Sequence, residues 1–400
     1  MEDLHRAAAA GAGVVRETPV LSSRTLSERA GATVALKAEN LQRTGSFKLR
    51  GVLAKIAALG ERCSAGVVTG SAGNHAQAVA YAARDRGLRC DVFMPETAPI
   101  AKLEAASTLG ASVHLLGSTV DESLAAAREL AAREGLAFIH PFDDLDVVAG
   151  QGTLGLELLA QVPDLARVIV PVGGGGLVSG IAIAVKSQRP QIQVIGVQVA
   201  TCAPFLASLD AGKPVAVQSA VTIADGIAVK RPGAVTLELI NRWVDRIVVV
   251  GEDDVAEGMV FLLERAKLVV EGAGAVGVAA LLGGRVTLEG RGTTAVVLSG
   301  GNVDAGLLAE VARRHETQAG HRLVLMARLQ DRPGSLARLL TLVGERGANL
   351  LDVQHIREGV DLHVRETGVQ LVMETRGPEH AAKVSDAIRE AGYSEPRLLR

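Results

Sequence analysis

From about residue 30 to residue 310 the chain alternates between two textures. Short, almost uninterrupted apolar runs rich in Val and Ile occupy 65–69, 89–94, 112–116, 167–172, 193–199 and 294–299. Between them lie Ala-, Leu- and Arg-rich stretches with helical spacing, among them 74–86, 100–109 and 121–134. A strand that is apolar on both sides must be covered on both sides. The alternation therefore predicts an α/β fold with parallel sheets between helices. In such folds ligands collect at the carboxyl ends of the strands. Three runs lead into unusual loops there: Gly70-Ser71-Ala72-Gly73-Asn74-His75, the glycine run Gly173 to Gly176, and Ser299-Gly300-Gly301-Asn302. Their convergence is the expected place of a site.

Composition closes off several alternatives. With 400 residues, two or three domains are expected. The 42 basic and 44 acidic residues leave a net charge of −2, which gives nucleic acid or an anionic membrane nothing to attract. Aromatics at 2% are too few for base- or sugar-stacking platforms. Cys63, Cys90 and Cys202 are odd in number and widely spaced, which fits a reducing cytoplasm better than a disulfide framework or zinc site. No basic stretch followed by an apolar one opens the sequence, so no secretory leader is expected. The uncharged segment 168–185 has nearly the length of a membrane span, but Pro171 and four glycines break it into strand, loop and helix start.

Beyond Asp304 the texture changes. The polar stretch 313–320 reads as a linker, which divides the chain into an N-terminal part (1–315, its smaller subdomain about 45–145), a linker (316–320) and a C-terminal domain (321–400). That domain shows a strand at 322–330, a turn at 331–335 and a helix to about residue 346 stopped by Gly347. Strands at 349–357 and 368–375, a helix at 379–391 and a last strand at 393–399 complete a βαββαβ order.

Nine lysines against 33 arginines make each lysine's setting informative. Lys48 lies in Ser46-Phe47-Lys48-Leu49-Arg50-Gly51. It is either a solvated residue in a helix's first turn or a Schiff-base lysine made nucleophilic by desolvation. Gly173 to Gly176 with Leu177 forms either a tight packing turn or a phosphate cradle at a helix start, and the run of four glycines favours the cradle. It lacks the lysine and hydroxyl of a nucleotide P-loop. Asn74 either caps its helix or donates to a ligand oxygen, and His75 alone reads more readily as structural. Ser299 is a turn former or a ligand contact. Glu271, an acid in an apolar glycine-rich run, is expected to be paired or functional.

Together, S-F-K-x-R-G, S-A-G-N-H-A-Q, G-G-G-G-L, E-G-A-G-A and L-S-G-G-N resemble the fold-type-II pyridoxal-phosphate enzymes over residues 5–310. Within them the chain is most similar to the threonine dehydratase (threonine ammonia-lyase) and serine racemase group. The D-R-P-G-S-L turn and the remainder of the C-terminal domain resemble an ACT domain, a ferredoxin-like amino-acid-sensing module.

The resemblance implies a cytoplasmic enzyme using pyridoxal 5'-phosphate for a β-elimination that converts L-threonine to 2-oxobutyrate and ammonia, and also L-serine to pyruvate and ammonia. It implies that Lys48 binds the cofactor and removes the Cα proton, and that Phe47 lies against the ring. Asn74 contacts the phenolic oxygen, Gly173, Gly174, Gly175, Gly176 and Leu177 hold the phosphate, and Ser299 meets the ring nitrogen. Ser71, Ala72, Gly73, Asn74 and His75 receive the substrate. A serine at the ring nitrogen, where Asp or Arg is the general expectation, weakens the electron sink and suits elimination. Serine racemases of the family carry a serine where this chain has Ala72, so the opposite face lacks a proton donor. Relatives that bind a divalent cation use an acid where this chain has Gln198, so no metal is expected there. The ACT resemblance implies an amino-acid effector, isoleucine first, near Gly334, Ser335, Leu336 and Asn349, and a homo-oligomer, dimer or tetramer. The alternatives are a serine dehydratase, a serine racemase, or a non-catalytic amino-acid sensor.

Overall fold

The computed structural model describes residues 1–218, 221–394 and 397–398. The chain forms two compact units, Met1–Asp304 and Ala305–Arg400. In the first, the strands in chain order are β1 (Val20–Ser22), β2 (Val34–Ala38), β3 (Val67–Gly70), β4 (Cys90–Met94), β5 (Ser112–Leu115) and β6 (Ala137–Phe138). They are followed by β7 (Leu165–Pro171), β8 (Gln193–Val199), β9 (Arg246–Val250) and β10 (Thr293–Leu298). Two sheets result, ordered β5-β4-β3-β6 and β1-β2-β10-β7-β8-β9. Every pairing is parallel except β1 with β2.

The apolar runs dictate this arrangement. All residues of β4 and of β10 are buried, as strands covered on both faces must be. Leu49, Leu53, Val79 and Val92 knit the helices Lys48–Leu59 and Asn74–Asp85 onto the small sheet. Leu154, Ile181, Val170 and Val297 do the same for the large one. Each such side chain contributes about 1.5–3 kcal/mol by leaving water. The segment 168–185 divides into β7, a loop and the helix Gly176–Gln188. Among the described residues no helix is long and apolar enough to cross a membrane.

The second unit runs from a helix, Ala305–Gln318, into β11 (Arg322–Gln330), the helix Ser335–Glu345, β12 (Asn349–Ile356), β13 (Val360–Asp361), β14 (Glu366–Glu374), the helix Pro378–Glu390 and β15 (Arg397–Leu398). Strands β11, β14 and β12 form an antiparallel sheet in that order. Ala327, Leu329, Leu339, Leu371 and Val384 fill the core beneath it.

Two expectations are corrected here. Residues 313–318 are not a linker but the second half of the helix Ala305–Gln318, and the two units divide at Asp304. The stretch is polar because it is mostly exposed, and its Arg, Glu and Gln are strong helix formers. Gly320, at φ +70°, turns the chain toward β11. The final strand also differs. Among the described residues Arg397–Leu398 is the extended part, and it pairs with β13 in a separate ribbon. The carbonyl of Ser394 still accepts the Arg328 amide at 2.7 Å, so the chain does reach the β11 edge. Residues 395, 396, 399 and 400, part of that expected strand and domain, lie outside the described residues.

Candidate active site

Lys48 is the first residue of the helix Lys48–Leu59, and Phe47 precedes it. Its Nζ donates to the carbonyl of Pro141 at 2.9 Å and lies 5.2 Å from the Phe47 ring centre. Loss of solvent around the amine outweighs attraction to Glu271 and lowers its pKa to about 8. The turn bearing Lys48 is stitched to the loop after β10. Ser46 bridges Gly300, and the Gly301 amide donates to the Gly45 carbonyl at 2.8 Å.

The loop after β7 meets the helix Gly176–Gln188 through Gly175, which has φ +91°. The first amides of a helix have no carbonyl partner within it, and free amides are the groups a phosphate needs. Gly174 is required for another reason. A Cβ there would collide with the Phe142 ring.

Asn74 begins the helix Asn74–Asp85 but does not cap it. Its Nδ2 donates to Glu271 Oε1 at 2.7 Å, and its Oδ1 accepts from Asn302 Nδ2 at 2.7 Å. Glu271 is buried, and desolvation together with the nearby Asp225 raises its pKa to about 7. Glu271, expected to be paired or functional, is paired by that bond. In the same loop Ser71 Oγ accepts the Gly73 amide at 3.2 Å. His75 Nε2 lies 3.1 Å from the Ile139 carbonyl oxygen, and burial lowers its pKa to about 3, the behaviour of a structural imidazole.

One cavity of about 460 Å³ gathers the expected residues. Phe47 and Lys48, Ser71 to His75, Gly173 to Leu177 and Ser299 all line it. That volume lies within the usual range for a small-ligand site. A desolvated amine, a glycine-lined helix start, a carboxamide and a buried hydroxyl suit pyridoxal phosphate. Three further lining residues, Pro141, Phe142 and Gln151, are not signalled by the motifs. The turn at 141–142 follows a two-residue strand too short to register as a periodic signal. Gln151 sits inside a largely apolar helix, Leu145–Gln161, and that buried amide is the available clue.

Gln198, the position weighed for a cation, is fully buried. Its Nε2 donates to Val172 O at 3.3 Å and its Oε1 accepts the Phe205 amide at 3.2 Å. In the second unit Gly334, at φ +82°, leads into the helix Ser335–Glu345. Ser335 is buried and accepts from Arg338 Nη2 at 3.2 Å, and Leu336 packs on the core. Asn349 opens the next strand, with its amide on Glu374 Oε2 at 3.1 Å.

Comparison with known proteins gives the family of the chain. Residues 12–300 match the family model described as pyridoxal-phosphate dependent enzyme, and residues 323–392 match the ACT domain. An L-threonine ammonia-lyase of Thermotoga maritima is 43% identical across the whole of this chain and 99% of its own. One of Geobacter sulfurreducens is 46% identical over 95% of this chain and 94% of its own. Among solved structures, a threonine deaminase from T.th. is 42% identical and covers 76% of this chain and 98% of its own, with a TM-score of 0.71. Maize serine racemase is 34% identical over 80% of this chain and 98% of its own, with a TM-score of 0.74. The chain belongs to the pyridoxal-phosphate dependent enzymes and carries an ACT domain at its C-terminal end.

Proposed function

We propose that this chain is an L-threonine ammonia-lyase, forming 2-oxobutyrate and ammonia from L-threonine and pyruvate and ammonia from L-serine. The observation that carries the reading is the meeting of Lys48, the glycine loop and Ser299 on one cavity. Full-length likeness to two L-threonine ammonia-lyases supports it.

Pyridoxal phosphate, when bound, supplies the electron sink that lets a proton leave the substrate's Cα. The protein's part is to hold and to move that proton. Gly173 to Gly176 and Leu177 would hold the phosphate at the helix start, Phe47 would back the ring and Asn74 would donate to its phenolic oxygen. Lys48 Nζ, with its pKa lowered to about 8, is a usable base near neutral pH. Ser299, on the cavity wall, would offer the ring nitrogen a hydroxyl instead of a carboxylate, which suits elimination. Ser71 to His75 receive the substrate carboxylate. Ala72, on the cavity wall, has no proton to return to the opposite face.

The ACT domain binds an amino acid, isoleucine first, and regulates turnover. The enzyme works in the cytoplasm as a homo-oligomer, a dimer or tetramer. Lys48→Ala tests the site. It should abolish both the visible absorption of bound cofactor and turnover, with a thermal midpoint close to the parent's. A variant that keeps both would overturn the assignment.

A further inference from the structure

His140 follows β6, between Ile139, whose carbonyl meets His75, and Pro141, whose carbonyl meets Lys48. Its Nδ1 accepts two backbone amides, Asp143 N at 2.8 Å and Phe142 N at 3.2 Å. The ring stands edge-on to Phe142, with centres 4.8 Å apart at 84°, and to Phe138 at 6.0 Å and 70°. The imidazole thus closes a short turn in which successive residues grip different parts of the cavity. Pro141 O takes the Lys48 amine. The Phe142 ring occupies the space that a side chain at Gly174 would need, and its carbonyl lies 3.1 Å from where one at Gly176 would start. Asp143 Oδ1 accepts the Thr236 amide at 3.1 Å, and Thr236 in turn packs against Gly175.

We propose that His140 is a positioning residue for the Lys48 amine and the glycine loop, acting through the acceptor lone pair of Nδ1. Among the described residues this nitrogen is the acceptor for both amides, so its loss frees the backbone that aims Pro141 O and Phe142. The role requires a neutral ring. Burial, with help from Arg128 and Lys48, outweighs Asp143 and Asp144 and lowers the His140 pKa to about 4, so Nδ1 remains an acceptor at neutral pH. The inference rests on Lys48 being the cofactor lysine.

Two substitutions separate the acceptor from the ring. His140→Asn places a carboxamide oxygen where Nδ1 stands but removes the aromatic contacts. His140→Phe keeps the ring and removes the acceptor. With the full chain, pyridoxal-phosphate affinity is read from the visible absorption of bound cofactor, alongside kcat and KM for threonine and the thermal midpoint. His140→Phe should weaken cofactor affinity and lower kcat by about tenfold or more, the scale of a lost acceptor for buried amides, with KM little changed. His140→Asn should stay within about threefold of the parent on both readings. Should phenylalanine prevent folding, His140→Gln replaces it, since its oxygen lies one carbon too far and should fail like phenylalanine. Equal loss in both variants, no loss in either, or a benign Phe with a damaging Asn would each overturn the proposal. Lys48→Ala, run in parallel, distinguishes that outcome from failure of the underlying reading: only retention of cofactor absorption and turnover there removes Lys48 itself.

Discussion

The amide of Phe47 donates to the carbonyl oxygen of Ser299 at 3.1 Å. The residue before the lysine and the serine after β10 are thereby fixed to each other by main chain, independently of either side chain. A change of the serine side chain can therefore be read as a change of chemistry rather than of geometry.

Ser299→Ala should keep the fold and the cofactor absorption and lower kcat by roughly ten- to a hundredfold, the equivalent of about 1–3 kcal/mol for a lost polar contact in a buried site. Thermal unfolding and steady-state kinetics on the same preparation check it. A large fall in thermal midpoint would show the hydroxyl to be structural.

Glu271 makes stability depend on pH in an unusual direction. Its pKa is raised from 4.5 to about 7, so between those values the folded chain keeps a proton that the unfolded chain has lost. Stability from this group therefore falls as pH rises through that interval and levels off above it. Glu271→Gln removes the slope. Relative to the parent, the variant should gain up to about 3 kcal/mol as pH rises from about 4.5 to about 7. Urea unfolding at about pH 5, 6, 7 and 8 measures it, and parallel pH curves for the two proteins would contradict the assignment.

Arg50, two residues beyond Lys48, is held in a buried charge cluster. Its Nε and Nη2 each donate to Glu39 at 2.8 Å, and Nη1 and Nη2 donate to Glu157 at 2.6 and 3.0 Å. Arg50→Met strands the fully buried Glu39 carboxylate and should cost about 3–5 kcal/mol of stability by denaturant unfolding. A loss below about 1 kcal/mol would mean that the Thr18 hydroxyl, which also donates to Glu39, and the nearby Lys37 suffice to hold that charge.

For the ACT domain, calorimetric titration of the cofactor-loaded full chain with isoleucine, valine, threonine and serine should reveal a site for isoleucine outside the cavity. A regulatory coupling of about 1–3 kcal/mol is typical. Gly334→Ala, which forces a side chain into a φ of +82°, should weaken that binding. Absence of any amino-acid binding beyond the active site would leave this domain without a sensing role.

How much of the molecule is legible in the sequence depends on the kind of signal each part leaves. The apolar runs locate β3, β4, β7, β8 and β10 to within two residues at either end, because strands buried on both faces carry few polar interruptions. Lys48, the glycine loop, Asn74 and Ser299 stand out because loops at strand ends need unusual residues. The exposed helix Ala305–Gln318 reads as a linker in its second half because its one buried residue, Val311, leaves almost no periodic signal. His140, Pro141 and Phe142 escape notice for a different reason. Two of their contacts are made by main-chain atoms, and main-chain groups have no sequence signature.

The central claim is tested most directly by product analysis of the purified full chain loaded with pyridoxal phosphate. It is incubated separately with L-threonine and L-serine, and 2-oxo acids, ammonia and the serine enantiomers are measured. We expect 2-oxobutyrate and ammonia in equal amounts from threonine, and pyruvate in large excess over D-serine from serine. Failure to form 2-oxobutyrate from threonine, or D-serine in amounts comparable with pyruvate, would contradict it.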